Sequence, residues 1–333
     1  MKKIKYLLKR IINMDFSYFF NTIKDINKKT NINTIKLFFD IIWCGFKYQA
    51  GYRDYYLFEF YNISKKDRKT IMTRGKNDKY IRFLNNPNYY HIFKNKNEFN
   101  KRFNKYIKRD WLYLNDNYDE FKKFIKNKEY IICKPIDGSC GKGIEKIKIS
   151  KYESKELYDY LVSKKLYVLE ELVIQNDSMS KLNPDAINTI RVVTINYKEK
   201  AEVVVAYLRI GASGKFVDNF NSGGMVVPVD VKTGKINYPA LSKSGELFEK
   251  HPTTNTKIKG FQIPNWEEVK KIAIDASYEV KEIGMVGFDV AISNKGVLLI
   301  EANEYPGHDI YQLPPHRKGG VGVLPDFEKV LKL

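Results

Sequence analysis

The chain is poor in the residues that build covalent or metal frameworks: 333 residues hold 3 cysteines and 4 histidines. Cys44, Cys133 and Cys140 are too few and too scattered for a disulfide framework or a zinc site, which points to a reducing, cytoplasmic setting. Long apolar runs are missing as well, and nothing approaches the roughly 20 residues that span a bilayer. The opening Met1-Lys2-Lys3-Ile4-Lys5-Tyr6-Leu7-Leu8 imitates a secretory leader until Lys9-Arg10 cuts its apolar run, and no small-residue cleavage site follows. Internal repeats, low-complexity linkers and a nucleophile elbow are absent, as are RNP-like, zinc-finger and helix-turn-helix patterns. Acidic residues are scarce in front. Residues 1–130 carry 30 Lys+Arg against 13 Asp+Glu, and residues 131–333 carry 28 against 26, so almost all of the net +19 lies in the first part. Such a region suits an anionic membrane leaflet or an acidic glycopolymer; nucleic acid ranks third for want of a motif. Solvated helix faces explain many of these lysines equally well. Residues 1–20 read as a basic amphipathic helix that either lies on anionic lipid, leaving the protein peripheral at most, or docks on a core.

What is present is a hairpin near the carboxy terminus. Gly287-Phe288-Asp289-Val290-Ala291-Ile292 leads through Ser293-Asn294-Lys295-Gly296 into Val297-Leu298-Leu299-Ile300-Glu301-Ala302-Asn303. A loop centred on Lys295 sets Asp289 opposite Glu301, and the period of two puts Glu301 and Asn303 on one face. Two carboxylates and an amide on neighbouring strands suit Mg2+, a hard cation that completes its octahedron with water and phosphate oxygens. The alternative is an ordinary hairpin whose acids meet solvent or lysines.

A second pattern lies upstream. Tyr130-Ile131-Ile132-Cys133-Lys134-Pro135-Ile136 is an apolar strand with one lysine, followed by Asp137-Gly138-Ser139-Cys140-Gly141-Lys142-Gly143 and another strand. A Gly-rich turn frees backbone N–H groups to cradle phosphates, and a strand lysine reaches the same oxygens as a point charge. It is not a Walker loop, since Gly143 stands where Ser or Thr is needed and no helix follows. A flexible hairpin is the plainer alternative.

Taken with Tyr167-Val168-Leu169-Glu170-Glu171-Leu172-Val173, Asn188-Thr189-Ile190-Arg191-Val192-Val193-Thr194, Asp218-Asn219 with Gly223-Gly224, and Glu301-Ala302-Asn303-Glu304-Tyr305-Pro306-Gly307, these segments resemble the ATP-grasp superfamily. Within it the chain is similar to the sugar-transfer-associated, TupA-like proteins of bacterial surface-polymer synthesis. Trp43-Cys44-Gly45-Phe46 and Gly51-Tyr52-Arg53-Asp54-Tyr55 extend the likeness forward.

The resemblance implies an α+β ATP-grasp fold with two lobes closing on ATP and Mg2+. It implies phosphate contacts from Lys134 and Lys96, with Lys94 as a competitor, and from the loop around Gly138, Ser139 and Gly141. Glu170, Glu171 and Leu172 become the adenine-reading hinge, with the Glu170 side chain accepting from the exocyclic amine and Gln175 or Asp177 at the ribose; an edge strand with solvated acids is the alternative. Arg191 and Arg209, with Asn219, fall at the transferred phosphoryl group, structural pairing of the arginines with Glu170, Asp218 or Asp289 being the alternative, and Asp289, Glu301 and Asn303 fall at the metal. Relatives that join D-alanine carry an arginine at the position of Gly287, a charge that Arg209 would supply here. His308 falls at the mouth of the site. The implied reaction is carboxylate–amine ligation through an acyl phosphate, adding an amino acid or peptide to an acidic sugar or glycopolymer precursor. A kinase acting on a sugar hydroxyl and a non-catalytic glycan or membrane scaffold are the rivals.

The chain reads as a basic helical accessory region (1–75, with breaks at Asn31-Ile32-Asn33 and Gly51), a small α/β subdomain (76–126) and the nucleotide and metal lobes (127–333). Helices are expected over Lys96–Lys108, Tyr152–Lys165 and Trp266–Ile283, the last stopped by Gly284. Hairpins are expected at Lys198-Glu199-Lys200 and, between Met225–Asp230 and Lys235–Tyr238, at Lys232-Thr233-Gly234.

Overall fold

A computed structural model describes residues 14–115, 117–138, 141–211 and 223–332. The chain divides into two compact units, Met1–Phe83 with Gly307–Leu333 and Leu84–Pro306. Residues 307–333 therefore group with the amino-terminal helices, whereas the sequence places them with the nucleotide lobes.

In the first unit the expected breaks fall between α1 (Phe16–Thr30), α2 (Thr34–Tyr48) and α3 (Tyr52–Leu57). Asn31 ends α1 in the left-handed region at φ 58°, donating its N–H to the Asn27 carbonyl. The Asn33 side chain then accepts from the Ile35 and Lys36 N–H groups, which starts α2. Phe19, Ile23 and Ile26 of α1 share a buried cluster with Leu37, Ile41, Cys44 and Tyr48 of α2, each set at helical spacing. Below α2, Asp40 takes both Arg68 terminal nitrogens at 2.7 Å and the Tyr55 hydroxyl at 2.7 Å. Burial raises the Asp40 carboxyl, but these donors hold it below its ordinary value. The unit is completed by α4 (Arg74–Leu84) and the carboxy-terminal segment, where Gln312 bonds both the N–H and the carbonyl of Met72.

The second unit holds two antiparallel sheets. The smaller has the order β1 (Trp111–Tyr113), β4 (Val168–Glu171), β2 (Tyr130–Lys134), β3 (Glu145–Lys148). Its apolar face packs with α8 (Tyr118–Ile125) and α9 (Ser154–Ser163) through Phe121, Leu157, Leu161, Ile131 and Leu169. Preceding it, α5 (His91–Lys94) leads into α6 (Lys96–Arg102) and α7 (Asn104–Ile107), and these last two replace the single helix expected over Lys96–Lys108, since Phe103 leaves helical geometry between them. The short α10 (Asp177–Ser180) follows β4.

The larger sheet has the order β11 (Gly296–Asn303), β10 (Met285–Ser293), β5 (Thr189–Tyr197), β6 (Lys200–Ile210), β7 (Met225–Val229), β8 (Ala240–Ser242), β9 (Leu247–Phe248). Lys198 and Glu199, both at positive φ, close the β5–β6 hairpin as a two-residue turn. The second expected hairpin does not form as a strand pair: β7 pairs with β8, while Lys235 makes an isolated bridge to Gln262. Helix α11 (Trp266–Ala276) buries Trp266, Val269, Ile272, Ala273 and Ala276 in the cluster that also holds Ile190, Leu208 and Phe288. It stops at Ala276, before the expected Ile283, with Ser277 as its C-cap, and Gly284 serves another purpose. A Cβ on Gly284 would lie 2.8 Å from the Asn196 carbonyl oxygen and 3.0 Å from that of Leu84, so two backbones approach where only glycine fits.

Candidate functional site

The β10–β11 hairpin has a two-residue turn, Asn294-Lys295, with Ser293 opposite Gly296 and Val290 opposite Leu299. Continued unchanged, this register would set Asp289 against Ile300 and turn Glu301 and Asn303 to the other face. A bulge at that point takes up Ile300, so Asp289 faces Glu301 and Gly287 faces Asn303. The expected pairing is present, produced by a shorter turn and one extra residue rather than by a loop centred on Lys295.

The bulge has a clasp. Arg109 donates to the Leu299 carbonyl at 2.6 Å and the Ile300 carbonyl at 3.2 Å, satisfying groups that the irregularity would leave unpaired. Its Nε donates to Glu170 Oε2 at 3.0 Å, so one buried guanidinium ties the bulge to the smaller sheet. Nothing in the sequence marks this residue out, because Lys108-Arg109-Asp110 looks like any other part of a basic surface.

Across the next rungs, Arg191 of β5 stands beside Asp289 in register and Arg209 of β6 opposite Thr189. Asp289 accepts from Arg191 through Nε and, at 2.8 Å, a terminal nitrogen, and from Arg209 at 2.8 Å. Burial opposes the Asp289 charge, but the two guanidiniums outweigh it and hold the carboxyl far below its ordinary range. The Arg191 pKa is raised well above its ordinary value, chiefly by Asp289 working against burial. Glu301 goes the other way: burial, then the neighbouring Asp289 charge, push it up to about 7. Gly287 is held by space, since a Cβ there would lie 3.1 Å from Arg191 Cδ and 3.0 Å from Pro306 Cβ. An arginine at position 287 would collide with the guanidinium this chain brings from β5.

Lys134 ends β2 with its ammonium 2.6 Å from Glu170 Oε2. Glu170 also receives Asn100 at 3.1 Å and Arg109, so both of its oxygens have a protein donor. Burial raises the Glu170 carboxyl, yet Arg109 and Lys134 together bring it down to about 2. The side chain thus fixes Lys134 and Arg109 through Oε2, while Oε1 carries the Asn100 bond. Nor is β4 an edge strand, for it lies between β1 and β2. Glu171 turns outward to Lys295 at 2.8 Å and accepts from the Asp110 N–H. Gln175 is also committed elsewhere. Its amide donates to the Asn183 carbonyl at 3.0 Å and accepts from the Asn188 N–H at 2.7 Å, pinning the loop that leads into β5.

Two cavities meet at these residues. One of about 570 Å3 is lined by Lys96, Lys134, Gly138, Glu170, Glu301 and Asn303. Lys96 donates to the Gly138 carbonyl at 3.1 Å, and burial together with the Lys134 charge lowers its pKa. Lys94 reaches the same rim but sits 3.9 Å from Glu304. The other, of about 340 Å3, is lined by Lys134, Gly141, Glu170, Glu171, Leu172, Gln175, Arg209, Asp289 and Glu301, with Ile132, Ile144 and Ile187 among its apolar walls. Lys134, Glu170, Ile300 and Glu301 belong to both. Gly138 and Gly141 adopt φ of 116° and 71°, which favours glycine. Ser139 and Asn219 lie outside the described residues. His308 belongs to the first unit, where its Nε2 is 2.9 Å from Asp54 Oδ1.

A hard cation fits this arrangement. Among the described residues no group of three or more His, Cys, Asp and Glu is placed to hold a metal, so an ion here would rest on two carboxylates and an amide. Asp289 and Glu301 face each other with one carboxyl pushed toward neutrality, a repulsion that a divalent ion relieves. The buried Asn303 Nδ2 has no partner, and a half-turn of that amide presents its oxygen at the same place. Asp289 already carries two guanidiniums, which leaves Glu301 and Asn303 the freer donors.

No curated protein matches the chain. Solved structures similar to it include the ATP-grasp ligase PsnB complexed with minimal precursor, at 12% identity and TM-score 0.45, over 75% of this chain and 63% of that one. D-alanine-D-alanine ligase from Helicobacter pylori is similar at 17% identity and TM-score 0.41, over 72% and 61%. L-amino acid ligase from Bacillus licheniformis is similar at 11% identity and TM-score 0.41, over 66% and 42%. The chain thus spans less than two thirds of the length of each. At the level of sequence, residues 75–329 match one family over most of the chain, and the protein belongs to the sugar-transfer associated ATP-grasp family.

Proposed function

We propose that the protein is an ATP-dependent ligase that joins a carboxylate to an amine through an acyl phosphate. The observation that carries this reading is the meeting of Lys134, Arg209, Asp289 and Glu301 on one cavity beside the Glu171–Leu172 strand end, in a chain of this family. The apolar walls Ile132, Ile144 and Ile187 suit a purine, and Leu172 and Val173, just after β4, line the same cavity, where their backbone would read its edge. Lys134 and Lys96 would meet phosphate oxygens as point charges, Lys134 held in place by Glu170. Mg2+ would rest on Glu301, Asn303 and Asp289 and would supply neutralisation of phosphate charge. Arg191 and Arg209, anchored on Asp289, aim fixed positive charge where a phosphoryl group moves from ATP to a carboxylate oxygen. ADP leaves; an amine nitrogen then attacks the acyl carbon and expels phosphate. A role for Asn219 at the phosphates rests on family kinship. Family kinship supports an acidic sugar or glycopolymer precursor as the carboxylate and an amino-acid-type amine as the acceptor.

Hydroxylamine tests the chemistry. With ATP, Mg2+ and extracts containing uronic-acid precursors, the ligase reading gives a hydroxamate together with ADP and inorganic phosphate. Stable γ-phosphate label in an ester without hydroxamate would establish a kinase, and AMP with pyrophosphate would defeat both.

A further inference from the structure

Helix α2 is apolar on two sides. Leu37, Ile41, Cys44 and Tyr48 face the core, while Ile35, Phe39, Trp43 and Phe46, also at helical spacing, are each between 48% and 67% exposed. On α1 the pair Phe16 and Phe20 is exposed to the same degree. The two sets are linked by ring contacts, Phe20 on the buried Phe19 at 5.3 Å, Phe19 on Phe38 at 5.7 Å and Phe38 on Phe39 at 5.4 Å, so the helices that carry them pack side by side. A soluble helix normally turns charge outward here, and an exposed apolar patch of this extent marks an interaction site.

The charges around the patch say what it meets. Lys47 lies over the Trp43 ring at 5.3 Å and Arg53 over the Tyr18 ring at 5.1 Å, placing cations on the exposed aromatics themselves. Lys36 adds a third near the start of α2. The one acid of α2, Asp40, is consumed by Arg68 and Tyr55. Residues 1–83 carry 19 Lys+Arg against 7 Asp+Glu, so a second copy of this face would bring like charge against like. Aromatic side chains interleaved with cations on a helix of about 22 Å suit a position in the plane of a bilayer interface, with the rings at the acyl boundary and the lysines at anionic headgroups. No helix among the described residues is long and apolar enough to cross a membrane.

We propose that the exposed face of α2, extended by Phe16 and Phe20 of α1, docks the protein on an anionic lipid surface. This goes beyond the ligase reading and does not depend on it.

Co-sedimentation of the full chain with phosphatidylcholine vesicles, with and without phosphatidylserine, tests it. The protein binds the anionic vesicles only, with binding reduced severalfold between low and high salt. Phe39→Ser combined with Trp43→Ser lowers the partition coefficient about tenfold or more through lost apolar burial. Val162→Ser, an exposed apolar position in the other unit, leaves it unchanged. Both substitutions sit on the surface, and an unshifted melting temperature certifies the fold. Equal binding to neutral vesicles, full retention in the double variant, or no vesicle binding by a dimer that the double variant dissociates would each overturn the proposal.

Discussion

Asp289 and Glu301 stand on one rung of a hairpin and differ in what removal of their charge does. Replacing Asp289 by Asn takes the buried counter-charge from two part-buried guanidiniums, so a loss of roughly 3 kcal/mol is expected in urea unfolding. Glu301→Gln removes the group whose charge the apo site resists, and its stability should equal or exceed the parent's while ATP turnover disappears. Normal turnover in Glu301→Gln would sink the metal assignment. Glu170 supplies a pH test. Its folded pKa, about 2, lies below the unfolded value near 4.5, so its stabilisation is complete above pH 4.5 and is lost as pH falls toward 2. The stability gap between parent and Glu170→Gln should therefore close over that window; a gap independent of pH would show the carboxylate is not held by Arg109 and Lys134. At this scale the sequence was legible wherever a charge interrupts an apolar strand, as with Lys134, Arg191 and Asp289. It was illegible where the charge hides among like neighbours, as with Arg109, and where a polar residue serves its own loop, as with Gln175.

The hairpin and its clasp belong to the scale of elements. Deleting Ile300 removes the bulge residue and sets Glu301 directly after Leu299, so the unbroken register still places Glu301 opposite Asp289 and Asn303 opposite Gly287; turnover should persist, while loss of the Ile300 carbonyl that Arg109 holds lowers the melting temperature. Turnover abolished in a folded Ile300 deletion would mean that standing opposite Asp289 is not what places Glu301. Gly284→Ala, pressed against two carbonyl oxygens, should cost about 1–3 kcal/mol by thermal unfolding without altering nucleotide affinity at equal folded fraction. Helix breaks at Asn31–Asn33 and Gly51 could be read directly, because capping is written in two or three adjacent residues. The bulge could not, since all nine residues of β10 are buried and no alternation survives to fix the register. The failed pairing of Lys235–Tyr238 has the same origin: a local turn signal at Lys232-Thr233-Gly234 is outbid by β8, which arrives from further along the chain.

For the whole molecule, charge and chemistry divide between the two units. The first carries most of the excess positive charge and the exposed aromatic face, whereas the second holds both sheets, both cavities and the convergent charged groups. The family could be recognised from the order of its motifs, but the grouping of residues 307–333 with the amino-terminal helices could not, because it rests on distant contacts such as Gln312 with Met72. The most direct test of the nucleotide site is calorimetric titration of the intact protein with ATP, with and without Mg2+, in the parent, Lys134→Ala, Lys142→Ala and Asp289→Asn/Glu301→Gln proteins. The account predicts Mg2+-dependent binding in the parent, weakening by at least an order of magnitude in Lys134→Ala and much less in Lys142→Ala, and no Mg2+ dependence in the double variant. Binding that ignores Mg2+ in the parent, or that survives unchanged in Lys134→Ala and the double variant, would contradict it.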